Sequence, residues 1–195
     1  RGAKRPGSTL RGMLMPFVPL KLSWTGRKEA KVLTRAEWLG ILPPLRGEAL
    51  LSGFYVNELL MRLTEREDIH PGLFPAYVRV IEALTHSDPA AQQRGLRRFE
   101  ADLLRICGWQ VLISEGGDAP RFTLRSTGDL AGVSGSFGNE IRTWERRDVL
   151  DVLEGRLERP EALRAAREIY REAIELRLDG RPLKTRRVLA ELKRL

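Results

Sequence analysis

Clusters of positive charge at the two ends of the chain are the feature best suited to a specific chemistry. Residues 1–35 contain nine lysines and arginines and one acid, Glu29, and the last 19 residues contain seven bases against two acids. Residues 36–176, between them, carry a net charge of −5. Clustered cations attract phosphates and gain from counterion release, so the pattern favours contact with a polyanion. The alternative is that these charges form solvated faces without a ligand.

Twelve of these cations are candidates for phosphate contact, because long cationic side chains bind backbone charge whatever the sequence. Eight lie near the start of the chain: Lys4, Arg5, Arg11, Lys21, Arg27, Lys28, Lys31 and Arg35. Four lie near its end: Arg181, Lys184, Arg186 and Arg187. The second group crowds the predicted first turns of a helix, where positive charge opposes the helix dipole. We infer that something other than helix stability holds these four cations there.

Candidates for catalysis are few. His70 precedes a proline in a predicted connection and His86 lies at a helix end, so surface or capping roles explain both. Cys107 lies on the last turn of a predicted helix beside Leu103, Leu104 and Ile106, which is typical of a small core side chain rather than a nucleophile. Acidic pairs such as Glu65 with Glu67 lie on helix faces rich in arginine, where surface ion pairs account for them. The sequence therefore predicts a binding protein and not an enzyme.

Two kinds of element must position these residues. Leu20, Leu22 and Trp24 alternate with polar residues and precede turn residues 25–28, which predicts a β-hairpin. Trp24 is in phase with the two leucines, so we expect it to pack in a core, the alternative being that it stacks on a base.

Helical periodicity begins after residues 43 and 44. It predicts helices from about 50 to 67, from 73 to 84, from a cap at Asp88 to 108, over 144–155 and over 160–178, and another from about Pro182. Residues 114–140 lose this periodicity and are rich in glycine, with 121–125 the only strand candidate. The prediction is an α+β chain in which residues 1–42 form a small β-domain and 45–195 a mainly helical domain with a loop-rich insert at 114–140.

Composition limits where the protein works. The chain has 195 residues, is 42% hydrophobic and 31% charged, and has one cysteine. Charged residues interrupt every apolar run before it reaches the ~18 to 20 residues of a membrane span. We expect a soluble, cytoplasmic protein.

Four separated strings resemble the bacterial recombination mediator family RecO. They are KRPGSTLRGMLMPFVPL near the start, LLSGFYVNELLMRL and LRRFEADLLRICGW in the first and third predicted helices, and DGRPLKTRRVLAEL near the end. They occur in the family's order and cover nearly the whole chain.

This resemblance implies an N-terminal OB-fold barrel, a helical domain and no catalysis. The implied activities are binding single- and double-stranded DNA, annealing complementary strands, and helping RecR to load the recombinase RecA on single-stranded DNA. Residues 1–42 would be the remainder of the barrel, without its first strands. Some members carry a four-cysteine zinc motif in the insert, but this sequence has no cysteine there, so neither zinc nor another cofactor is expected.

The resemblance also implies that the acidic C-terminal tail of the single-stranded-DNA-binding protein docks on the helical domain. Arg97 and Arg98 would take its terminal carboxylate, and Tyr77 and Val80 would line a groove for its aromatic side chain. Alternatively, both arginines pair with local acids such as Glu100. We expect such an ion pair to be exposed and to contribute little to stability, so Arg97→Ala should leave the fold nearly unchanged.

Two rival functions remain open at this point. The chain could be a helical interaction module whose basic ends bind RNA or ribosomes. It could also be a fragment of an enzyme whose catalytic half is missing. Competition between single-stranded DNA, duplex DNA and structured RNA would separate the DNA and RNA hypotheses.

Overall fold

The computed structural model describes residues 9–27, 31–40, 42–134, 141–178 and 180–192. The chain divides into two compact units, Arg1–Arg46, here the hairpin unit, and Gly47–Leu195, here the helical unit. The described residues contain helices and two separate sheets, so the α+β class is confirmed.

The hairpin unit contains a short helix, α1 (Thr9–Met13), and two strands, β1 (Leu20–Thr25) and β2 (Val32–Trp38). The strands pair antiparallel, which confirms the predicted hairpin. Leu20 lies opposite Trp38 and Leu22 opposite Ala36, and the register shifts between Ser23 and Trp24. Because side chains alternate across a sheet, the apolar residues of these two pairs, Leu20, Leu22, Ala36 and Trp38, share one face.

Three helices open the helical unit: α2 (Gly47–Leu63), α3 (Leu73–Leu84) and α4 (Pro89–Ile106). The start of α4 is the one predicted, since the Asp88 carboxylate accepts hydrogen bonds from the backbone N–H groups of Ala90 and Ala91 at 2.9 and 3.1 Å. Helix α2 ends four residues before the predicted Glu67. That residue has φ 67°, a left-handed conformation that an α-helix does not contain.

A four-stranded sheet follows, which corrects the prediction of a loop-rich insert with one strand. Its strands are β3 (Ile113–Glu115), β4 (Arg121–Leu124), β5 (Leu130–Val133) and β6 (Trp144–Glu145), in the order β3-β5-β4-β6. Strands of two to four residues are too short to show an alternating pattern. Gly132 has a packing role here, because a Cβ atom at this position would collide with the carbonyl oxygen of Gly116.

Three helices complete the unit: α5 (Arg146–Leu153), α6 (Pro160–Arg177) and α7 (Lys184–Leu192). Helix α6 packs against α4 and α5, and α7 packs against α2. The side chains buried most completely in this core include Val56, Leu59, Leu84, Phe99, Leu103, Leu104, Phe122, Leu130, Ile169 and Ile174. The core therefore draws on both the helices and the sheet.

Across the part of the chain that the structure describes, each helix is too short or too polar to cross a membrane.

Candidate functional site

The cations of the hairpin lie on its surface. Lys21, Arg27, Lys31 and Arg35 are all exposed. Lys21 lies opposite Glu37 and Arg35 opposite Ser23, so the hairpin presents Lys21, Arg35 and Glu37 on one face. Arg35 forms an ion pair with Glu37.

Three of the described hairpin cations, Lys21, Arg27 and Lys31, are not neutralised in this way. Within residues 9–27 and 31–40, no acidic group pairs with Lys21, Arg27 or Lys31. Arg27 and Lys31 lie in the turn beyond the last paired residues of the two strands. Arg11 lies in α1, whereas Lys4, Arg5 and Lys28 lie outside the described residues.

Two tryptophans of the hairpin are exposed. The prediction that Trp24 packs in a core is wrong for the described structure, because 62% of this residue is exposed. Trp38, which was not among the residues predicted to bind DNA, is 59% exposed. Its indole N–H donates to the carbonyl oxygen of Met13 at 3.5 Å. The two-residue period from Ala36 to Trp38 in β2 could have identified it. That Trp24 stacks on a base stays a prediction.

The four cations near the C terminus differ in their surroundings. Arg181, Lys184 and Arg187 are exposed, and Arg187 lies 3.9 Å from Glu191. Arg186 is half-buried: its guanidinium donates to Oε1 of Glu175 at 2.6 Å and to the Tyr55 hydroxyl at 3.3 Å. It also lies over the Tyr55 ring, 5.5 Å from the centroid. Arg186 therefore anchors α7, and the other three form the accessible part, here called the C-terminal cluster.

Glu58 of α2 explains what holds these cations at the start of a helix. Its carboxylate accepts three hydrogen bonds of 2.8 Å, from the backbone N–H groups of Lys184 and Thr185 and from the Thr185 hydroxyl. Burial by itself would raise the pKa of Glu58, but the bonds from Thr185 and Lys184 outweigh it and lower that pKa. The carboxylate satisfies N–H groups that a helix start leaves unpaired and offsets the nearby positive charge. No local signal could reveal this cap, since Glu58 is 126 residues from Lys184.

The predicted peptide site is only partly accessible. Arg98 is exposed and lies 3.6 Å from Glu158. Tyr77 is half-buried, and that burial raises the pKa of its hydroxyl. Val80 is 1% exposed and Arg97 is 6% exposed. The expectation that Arg97 forms an exposed pair is therefore wrong, and the assignment of these residues to a peptide stays a prediction.

Arg97 is buried because it belongs to a polar network inside the helical unit. Its guanidinium lies 3.0 Å from Oε1 of Glu100, which is 1% exposed. The Tyr55 hydroxyl donates to the same oxygen at 2.6 Å. Burial, and then the charge of Glu100, raises the pKa of Tyr55 and of Tyr170. The bond between Tyr55 and Glu100 joins α2 to α4, and this is a structural role.

His70 and Cys107, two of the residues considered for catalysis, contact neighbouring residues of the fold. His70 lies 3.1 Å from Asp68. The Cys107 thiol donates to the carbonyl oxygen of Leu63 at 3.7 Å, and burial followed by the charge of Asp68 raises its pKa, which disfavours the nucleophilic thiolate. Among the residues that the structure describes, no three histidine, cysteine, aspartate or glutamate side chains lie close enough to hold a metal ion.

Comparison with known proteins gives a consistent result. Residues 45–118 match the family model "Recombination protein O C terminal". The chain is 40% identical over 203 residues to DNA repair protein RecO of Ralstonia nicotianae, a match that covers 100% of this chain and 73% of that protein. It is 41% identical over 209 residues to DNA repair protein RecO of Aromatoleum aromaticum, covering 100% of this chain and 83% of that protein. Because these matches span the whole chain and more than two thirds of each relative, the chain belongs to the RecO family of DNA repair proteins.

Proposed function

We propose that this chain is a DNA-binding mediator of recombinational repair that acts without catalysis. It binds single- and double-stranded DNA, anneals complementary strands, and works with RecR to load RecA on single-stranded DNA. Membership of a family of DNA repair proteins supports the role in repair. The observation that carries DNA binding is the set of exposed hairpin cations, of which Lys21, Arg27 and Lys31 have no acidic partner among the described residues.

Phosphate neutralisation gives this proposal its mechanism. Two complementary strands repel each other, and cations that contact both backbones reduce that repulsion and release counterions. Such contacts do not depend on base sequence, as annealing of arbitrary strands requires. Exposed Trp24 supplies a flat apolar surface on which an unpaired base can stack. We assign the hairpin to an OB-fold, a fold that uses aromatic and cationic residues on its strands in this way.

An annealing assay tests the proposed function. The full chain should accelerate the pairing of two labelled complementary oligonucleotides, and added salt should suppress the acceleration because it competes for phosphates. Changing Lys21, Arg27 and Lys31 together to glutamine should slow annealing. The matched control keeps the charge at the same three positions, with Lys21→Arg, Arg27→Lys and Lys31→Arg, and should anneal normally.

Two results would count against the proposal. If the unsubstituted chain does not accelerate annealing, it is not an annealing protein. If structured RNA displaces the chain from single-stranded DNA at equal concentration more readily than DNA itself does, the RNA-binding alternative is favoured.

A second binding function is docking of the acidic C-terminal tail of the single-stranded-DNA-binding protein on α3 and α4. Exposed Arg98 supports it, because its contact with Glu158 is long at 3.6 Å and leaves the guanidinium free to bind a carboxylate. Tyr77 is half-buried on α3, which packs against α4, and offers a partly apolar surface near the peptide. Fluorescence anisotropy with the tail peptide should show that Arg98→Ala lowers affinity, by about 2 kcal/mol if the carboxylate contact is buried. Arg121→Ala removes an exposed arginine from β4, outside the proposed docking surface, and should bind normally. Equal binding by both variants would place the peptide elsewhere.

A further inference from the structure

Helix α6 presents a row of arginines that the charge analysis of the sequence did not identify. Arg164, Arg167 and Arg171 follow one another at steps of three and four residues, and all three are exposed. Residues at these steps lie on one side of a helix. With a rise of 1.5 Å per residue, the row, here the α6 ridge, is about 10 Å long.

The sequence of α6 hides this ridge because its charges cancel. Its 18 residues contain four arginines and four glutamates. In the structure, groups outside the ridge engage each of the glutamates. Glu161 lies 3.6 Å from Arg159, Glu168 accepts from the Trp144 indole at 3.0 Å, Glu172 pairs with Arg142 at 2.5 Å, and Glu175 pairs with Arg186 at 2.6 Å.

The ridge arginines are consequently poorly neutralised. No ion pair involves Arg164 or Arg167 within the described parts of the chain. Arg171 does have a partner, since its Nε lies 2.9 Å from Oε1 of Glu175. That same oxygen takes the bond from Arg186 of α7. The shared carboxylate therefore places the end of the ridge beside α7, which carries Lys184 and Arg187 of the C-terminal cluster.

We propose that the α6 ridge binds the phosphate backbone of a DNA strand and continues the C-terminal cluster along α6. This inference rests on the proposed DNA-binding function. The guanidinium group of arginine matches the phosphate geometry with two parallel hydrogen bonds. A ridge of about 10 Å spans roughly three phosphates of one strand of a duplex, which are about 3.4 Å apart along the axis. The helical unit thus has its own contact with the DNA phosphate backbone, in addition to the hairpin cations.

A pair of double variants of the full chain tests the ridge. Arg164→Gln with Arg167→Gln removes two ridge charges. Arg79→Gln with Arg105→Gln removes two exposed charges from α3 and α4, where both arginines pair with Asp102, at 3.0 and 2.9 Å. The two variants change net charge equally. They differ in where the charge is lost, and the α3–α4 variant also loses the ion pairs with Asp102. Binding to a labelled thymidine oligonucleotide, and to a duplex of equal length, is followed by anisotropy over a salt series.

For the ridge variant, the slope of log affinity against log salt on the single strand should fall in magnitude by about 1.4, since each lost contact removes about 0.7. The α3–α4 variant should keep nearly the full slope. Equal slopes in the two variants would overturn the ridge while leaving DNA binding intact. Failure of the unsubstituted chain to bind either DNA would overturn the proposed function and the ridge together. Should the glutamine variant melt early, Arg164→Ala with Arg167→Ala gives the same test, because alanine favours an exposed helix.

Discussion

The Tyr55 hydroxyl donates a 2.6 Å hydrogen bond to Oε1 of Glu100 and joins α2 to α4 inside the helical unit. The same oxygen lies 3.0 Å from the guanidinium of Arg97, and Tyr55 in turn accepts from Arg186 of α7 at 3.3 Å. Arg97 Nε and Glu100 Oε2 are buried and have no hydrogen-bond partner within the described structure. One buried carboxylate therefore depends on one buried cation for its charge balance.

Removing that cation should destabilise the fold strongly. Arg97→Ala leaves the Glu100 carboxylate buried without a compensating charge, a change that costs about 3 to 5 kcal/mol. Arg98→Ala removes the neighbouring arginine from an exposed position and should change the free energy of unfolding by no more than about 0.5 kcal/mol. Urea denaturation of both variants measures the difference. Equal midpoints for the two would show that Arg97 does not stabilise the core.

Acid should weaken the attachment of α7 through Glu58. Because the pKa of this carboxyl group is lower in the folded chain than in the unfolded one, its contribution to stability is complete above the unfolded value, near 4.5. The contribution declines as the pH falls through the folded value. Glu58→Gln should lower stability at neutral pH by about 1 to 2 kcal/mol, as loss of a helix cap does. Because glutamine does not titrate, Glu58→Gln should also remove the loss of stability on acidification that protonation of Glu58 causes.

The measurement is denaturant unfolding of both chains over a series of pH values, with hydrogen exchange of the α7 amides as the local readout. Glu65→Gln, at an exposed position, is the control and should keep the acid response of the unsubstituted chain. If Glu58→Gln responds to acid as strongly as the unsubstituted chain does, Glu58 does not hold α7.

Gly132 should resist substitution. An added methyl group would collide with the Gly116 carbonyl oxygen and lie 2.5 Å from the Ala119 methyl group, so Gly132→Ala should cost about 1 to 3 kcal/mol through overpacking. Gly117→Ala is the matched control, because no atom lies within 4 Å of the position its methyl group would take. Thermal melts distinguish the two, and a Gly132→Ala chain as stable as the control would contradict the close approach of these segments.

Local signals were sufficient to predict the elements that depend on local chemistry. Alternation from Leu20 to Trp24 predicted the hairpin, and the cap at Asp88 followed by Pro89 predicted the start of α4. The hairpin pairing and the Asp88 cap each join residues close in sequence. The family, too, was predictable, since its strings are short and contiguous.

Contacts between distant residues were not predictable in this way. The residues one turn from Arg97 along α4 are largely polar, a pattern typical of an exposed position. The packing of α2 and α6 around α4 nevertheless buries Arg97 against Glu100. The Glu58 cap joins residues 126 positions apart, and the sheet pairs strands of two to four residues. On α6, the charges cancel in the sequence. The positions of residues outside the helix, such as Trp144 and Arg142, show how its glutamates are engaged.

The most direct test of DNA binding is a salt titration of the full chain on a labelled single-stranded oligonucleotide. Log affinity should fall linearly with log salt, because each phosphate contact releases counterions. With Lys21, Arg27 and Lys31 all changed to glutamine, the magnitude of the slope should drop by about 2, since three contacts of about 0.7 each are lost. An unchanged slope in a variant that melts at the temperature of the unsubstituted chain would contradict the hairpin as the DNA-binding surface.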